Sequence, residues 1–99
     1  IEIGVIWEEG YSPEEMRTIF EEWNTDLNLR AVDEGQAQIA DMSVLCVIYT
    51  FTYEGKEYSM VCRYFNYKGY GYNVLYNFPS EKDYTALCES IVATFTLGG

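Results

Sequence analysis

The sequence predicts an α+β protein: an antiparallel β-sheet of three or more strands with one helix on each face, an α/β/α sandwich. Three observations lead there. The run from Leu45 to Phe78 alternates as three consecutive strands joined by two tight turns. The register inferred from those turns leaves apolar residues on both faces of the three strands. Two amphipathic segments, one near each end of the chain, are available to cover them. All of this fits a single domain, 1–99, since a chain of this size buries roughly 60–70% of its unfolded surface.

Taken in order, residues 1–8 set Ile3, Val5 and Trp7 against Glu2, Gly4, Ile6 and Glu8 and read as a strand. A helix over 13–27 follows. Ser12 is its N-cap, Pro13 takes the first helical position, and Glu15 closes a capping box. Tyr11 and Met16 can staple that start, and Met16, Ile19, Phe20, Trp23 and Leu27 form the apolar stripe. Between 29 and 41 the pattern is diluted. Leu29 to Val32 reads as a short strand, Asp33-Glu-Gly35 as a turn, and Gln36 to Ala40 as another strand or an extended link.

Strands over 43–53, 56–66 and 70–78 form the centre. Glu54-Gly55 suits a two-residue hairpin loop, which pairs Tyr53 with Lys56 and Val47 with Cys62. Asn66-Tyr-Lys-Gly69 reads as a three-residue loop with Gly69 left-handed, which pairs Tyr64 with Tyr72 and Cys62 with Val74. The rows Leu45-Tyr64-Tyr72, Val47-Cys62-Val74, Tyr49-Met60-Tyr76 and Phe51-Tyr58-Phe78 then share one face. The other face is mixed, carrying Arg63, Asn73 and Asn77 but also the apolar row Ile48-Val61-Leu75. A helix over 81–95 completes the chain, with Ser80 as its cap, Asp83 in the box position and Tyr84, Leu87, Cys88, Ile91 and Phe95 as its stripe.

Composition narrows the function classes. The net charge is −10, and residues 1–41 hold eleven acids against two bases. Nucleic acid and anionic membrane need a basic surface, so neither is an expected partner. The chain starts at Ile1 rather than Met, which reads as a processed chain or an excised domain. Cys46 and Cys62 point to opposite faces, whereas Cys62 and Cys88 can meet if the last helix covers the aromatic face; the simplest reading is three buried thiols. With no His in the chain, the usual Ser-His and Cys-His nucleophiles are missing, and most zinc sites with them. The pairs Glu8-Glu9, Glu14-Glu15 and Glu21-Glu22 read as solvated charge, with Arg17 one turn before Glu21. No enzyme, cofactor or metal is expected. Candidate contacts are Tyr67 and Tyr70 on a hairpin tip, where aromatics can anchor a protein or a sugar, and the row Ile48, Val61 and Leu75.

Further organisation comes from a family pattern. Ala40-Asp-Met-Ser-Val-Leu45 enters a long hairpin with a Gly turn, a Gly-Tyr-Asn-Val-Leu-Tyr strand leads to a Ser-capped helix, and that helix ends Ile91-Val-Ala-Thr-Phe95. From Ala40 to Leu97 this resembles the PsbP-like superfamily, α/β/α sandwiches that include the Mog Ran-binding proteins and many small bacterial envelope lipoproteins. The first forty residues follow it in outline. The resemblance implies a non-catalytic accessory module that docks to a protein partner, extracytoplasmic or in the cell envelope of a bacterium, though a cytoplasmic address stays open. It carries no functional residue onto this chain. Two other readings stand beside it. One is a self-associating domain using the Ile48-Val61-Leu75 face; the other is a small-ligand binder between sheet and helix, lined by Tyr49, Tyr64 and Tyr76.

Overall fold

A computed structural model describes residues 2–95. Its elements are β1 (Glu2–Glu9), α1 (Pro13–Trp23), a 3-10 turn (Thr25–Leu27), β2 (Arg30–Ile39), β3 (Met42–Tyr53), β4 (Lys56–Tyr67), β5 (Tyr70–Pro79) and α2 (Thr85–Val92). The start of the first expected strand, residue 1, lies outside the described residues. All strands join one antiparallel sheet in the order β1-β5-β4-β3-β2. Strands β2 to β5 are therefore a meander of hairpins, and α1 carries the chain from one sheet edge to the other.

The expected α/β/α sandwich is not what forms. The described residues are mostly a five-stranded antiparallel sheet, and the two α-helices among them, of 11 and 8 residues, are too short and too few to be layers. A helix about 10 Å across spans roughly two strands spaced about 4.8 Å apart, so it leaves most of a five-strand face uncovered. The extra sheet comes from the segment read as turn and link. Arg30–Ile39 is one continuous strand, with a bulge at Val32 where the register shifts between Ala31 and Asp33.

Both helices end short of their expected bounds for local reasons. The capping box of α1 forms as expected: the Glu15 N–H donates to Ser12 Oγ at 3.2 Å, and the Ser12 N–H donates to Glu15 Oε1 at 3.0 Å. The helix stops at Trp23 because the Asn24 side chain donates to the Phe20 carbonyl (2.8 Å), and Asn28 then turns left-handed (φ 54°). At the other end Ser80 caps nothing. Its N–H still bonds the Glu57 carbonyl of β4 (2.9 Å) and its hydroxyl meets that of Ser59, so α2 starts only at Thr85, whose N–H bonds Asp83 Oδ1.

The β3–β4 register is the expected one, with Val47 opposite Cys62 and Tyr53 opposite Lys56. The β4–β5 register differs by one residue. Lys68 and Gly69 are both left-handed (φ 52° and 83°) and make a two-residue turn, so Tyr67 faces Tyr70, Tyr64 faces Asn73 and Cys62 faces Leu75. One residue of slip inverts β5. Tyr72, Val74, Tyr76 and Phe78 leave the face expected for them, and Gly71, Asn73, Leu75 and Asn77 replace them there. The expected aromatic rows therefore hold for β3 and β4 but not for β5.

Two apolar clusters result. On one face Met16 and Phe20 of α1 pack with Val47, Tyr49, Phe51, Met60, Cys62, Tyr64 and Leu75. Burying Met16 and Phe20 contributes about 1.5–3 kcal/mol each. On the other face Cys88 and Val92 of α2 pack with Ile39, Val44, Val61, Phe65, Val74, Tyr76 and Phe78. Cys62 and Cys88 thus sit on opposite sides of the sheet, and all three cysteines are free thiols. Three residues expected in helix stripes are instead exposed: Trp23, Leu87 and Ile91.

The β2–β3 turn holds the one strained alanine. Ala40 has φ 51°, a region its Cβ disfavours. Ala40→Gly is expected to raise unfolding free energy by about 0.5–1 kcal/mol, read from urea unfolding curves at unchanged slope.

Candidate docking surface

Most polar groups that enter this core do so in hydrogen-bonded sets. Under α1, Tyr49 donates its hydroxyl to Glu21 Oε2 (2.7 Å) and Tyr64 OH lies 2.8 Å from Tyr49 OH. Arg17 ties the same carboxylate to Glu34 of β2, through Nε at 3.0 Å and NH1 at 2.9 Å. Glu21 and Arg17, read as solvated charge from sequence, are therefore the polar clasp between α1 and the sheet. Burial pushes the Tyr49 and Tyr64 phenols well above the ordinary range and the Cys62 thiol up to about 12. Asn73, fully buried beside that thiol, has neither side-chain atom in hydrogen-bond geometry with a partner among the described residues.

The opposite face repeats the device with α2. Arg63 of β4 is 4% exposed and donates through NH2 to Glu89 Oε1 (2.6 Å) and Oε2 (2.9 Å), and through Nε to the Gln38 carbonyl (3.1 Å). Tyr76 donates to Glu89 Oε2 at 2.8 Å. Burial works to raise the Glu89 carboxyl, but the Arg63 and Tyr76 hydrogen bonds outweigh it and hold it below the usual carboxylate range. Burial raises the Tyr76 phenol and the Cys46 and Cys88 thiols. These are neutral phenols and thiols and a paired charge, suited to fixing helices rather than to exchanging protons near neutral pH.

The expected contact residues separate. Ile48 and Val61 do pair, but Tyr76 stands opposite Val61 and Leu75 points to the α1 face. The continuous Ile48-Val61-Leu75 row does not exist, which removes the surface expected for self-association. Nor do Tyr49, Tyr64 and Tyr76 line one pocket, since Tyr76 lies on the α2 side. The open concavity on the α1 side, about 420 Å³, is bounded instead by Phe20, Leu27, Phe51, Tyr58, Met60 and Leu75, with Asn24 and Asn77 among its polar neighbours. Tyr67 is half-buried, with Lys68 Nζ 5.3 Å from its ring centroid, while Tyr70 is exposed beside it at the hairpin tip.

What the sequence reading missed is where exposed apolar side chains gather. Ile3, Val5 and Trp7 of β1 pair with Tyr76, Val74 and Tyr72, so they share the α2 face, yet all three are exposed, Trp7 by 59%. Tyr70 pairs with Glu9 and prolongs that row past Trp7. Glu89 leaves α2 toward Arg63, and Leu87 and Ile91, about 160° round the helix from it, are exposed on the other flank. These six are the larger part of the exposed large hydrophobics among the described residues. The alternation read over residues 1–8 was legible; the position of that strand at a sheet edge was not, because strand order depends on distant pairing.

Among the described residues no helix is long and apolar enough to cross a membrane, and no three His, Cys, Asp or Glu side chains stand together as a metal site. No protein-family model, curated protein or solved structure matches this chain.

Proposed function

We propose that this domain is a non-catalytic binding module that docks to a protein partner. The observation that carries this reading is the strip of Ile3, Val5, Trp7 and Tyr70, with Leu87 and Ile91 of α2 exposed on the same side of the sheet. Several exposed large apolar side chains on one side of a sheet are the usual mark of an interaction surface. The buried polar groups support it indirectly, being tied up in helix docking rather than gathered in a cleft.

Site-specific photocrosslinking tests it. A photoreactive phenylalanine analogue at position 7 is expected to give one discrete protein adduct in extracts of the native cells. The same probe at position 23, an exposed tryptophan away from the strip, is expected to give none. Equal or diffuse labelling from both positions overturns the reading.

A further inference from the structure

Strand β1 is exposed along its outer edge as well as on its apolar face. It pairs with β5 on one side and, among the described residues, with nothing on the other. The Gly10 N–H donates to the Gly69 carbonyl (2.8 Å), one position beyond Glu9 opposite Tyr70, the last pair of the β1–β5 register. In an antiparallel ladder hydrogen-bonded pairs alternate, so Glu8, Ile6, Gly4 and Glu2 bond to β5. The N–H and C=O groups of Ile3, Val5 and Trp7 therefore point away from the sheet, as a free ladder. The same three residues carry the exposed apolar side chains.

The far edge of the sheet is defended and this one is not. Strand β2 has a bulge at Val32 followed by Asp33 and Glu34. β1 has no bulge, Pro or Lys between Ile3 and Trp7. Its charges stand at its ends: Glu2 and Glu8 on the α1 side of the strand, Glu9 beyond Trp7.

Those charges choose the occupant. A second copy pairing antiparallel about Val5 would keep the apolar row continuous, Ile3 against Trp7 and Val5 against Val5. That register also sets Glu2 across from Glu8 twice, at the closer pair spacing of about 4.5 Å, between chains of net charge −10. Self-pairing is thus opposed, while a basic strand is favoured at the same positions.

We propose that the outer edge of β1 binds an extended segment of a partner protein as a sixth strand, with apolar residues opposite Ile3, Val5 and Trp7 and Lys or Arg opposite Glu2 and Glu8. The spacing sets the motif: two basic residues six positions apart with apolar residues at the first, third and fifth positions between them. This deepens the docking reading and rests on it.

The probe is the peptide Lys-Val-Thr-Val-Thr-Val-Lys, with Glu-Val-Thr-Val-Thr-Val-Glu as control, titrated into the Trp23→Phe protein so that Trp7 alone reports. The Lys peptide is expected to shift Trp7 emission to the blue and to bind about tenfold tighter than the Glu peptide. It should slow amide exchange at Ile3, Val5 and Trp7, while Gly4, Ile6 and Glu8 are slow already. Val5→Pro removes only an outward N–H and is expected to abolish binding with the β-sheet circular dichroism retained. Val5→Lys, which keeps the backbone donor and repels the peptide, should weaken binding at least tenfold and serves where the proline variant fails to fold.

Equal affinity for both peptides, no slowing at the odd-numbered amides, or binding untouched by Val5→Lys overturns the proposal. A dimer in sedimentation that Val5→Lys dissociates overturns it in favour of self-pairing. A native adduct from position 7 that persists in Val5→Lys leaves the docking reading standing and removes only the added strand.

Discussion

Glu89→Ala is expected to lower unfolding free energy by about 3 kcal/mol. The mutation removes few contacts of its own. It strands Arg63, which is 4% exposed and whose NH1 already has no partner among the described residues. Removing one member of a buried pair typically costs about 3–5 kcal/mol, because the remaining charge is left desolvated. The Glu89 side chain is 42% exposed, so water can reach the vacated place, which puts the effect at the lower end of that range. The pair itself is not the source of stability. Arg63→Met with Glu89→Leu is expected to recover most of the loss, since two apolar side chains remove both desolvated charges together. A double variant no more stable than Glu89→Ala would mean that the Tyr76 hydroxyl, 2.8 Å from the same carboxylate, is the group that suffers.

Acid provides a second reading of the same pair. The folded protein holds Glu89 below its ordinary value of 4.5, so the proton is bound more weakly than in the unfolded chain. Stability from this group is complete above that value and is lost as pH falls through the lower, folded one. The wild-type protein should therefore lose more stability than Arg63→Met/Glu89→Leu when urea midpoints are followed from pH 6 down to pH 3. Equal losses in the two proteins would show that the pair does not sense pH.

The sequence was legible wherever one local feature decided the outcome. Glu54-Gly55 sits in a left-handed pair (φ 51° and 77°), and the β3–β4 register follows from that alone. The second turn misleads because Gly69 is left-handed in either kind of loop. The deciding angle belongs to Lys68, whose side chain gives no sign of it. The apolar alternation of Tyr72, Val74, Tyr76 and Phe78 then favoured joining them to the Tyr49 face, although that face needed something else. The polar clasps were missed for a similar reason. Glu21 and Glu89 look like surface charge on amphipathic helices, and only the sheet shows that Tyr49, Tyr76 and Arg63 reach them. The exposed edge of β1 is the most remote of all, since it depends on β5, some seventy residues later, taking the inner place.

What the Tyr49 face needed was a glycine, and Gly71→Ala tests that requirement together with the register. Residue 71 lies where the start of α1 comes down on the sheet. A Cβ there would stand 2.7 Å from the Tyr11 carbonyl oxygen and would overlap the Met16 side chain. Met16 can turn aside, but Tyr11 cannot. Its carbonyl accepts from Asn66 Nδ2 at 2.7 Å, and the next residue is held in the capping box. One methyl therefore has to lift the first turn of α1, and the expected loss is about 2 kcal/mol, within the range for forced overpacking. Met16→Ala should not rescue it. In an Asn66→Ala background, where the Tyr11 carbonyl is free to move, the same substitution should cost measurably less. With β5 in the other register, Tyr72 would lie under this turn and Gly71 would face away, so an added methyl would be close to neutral. A change of less than 0.5 kcal/mol in urea unfolding would accordingly contradict not one contact but the whole inversion of β5, and with it the pairing that sets Ile3, Val5 and Trp7 on the α2 side of the sheet.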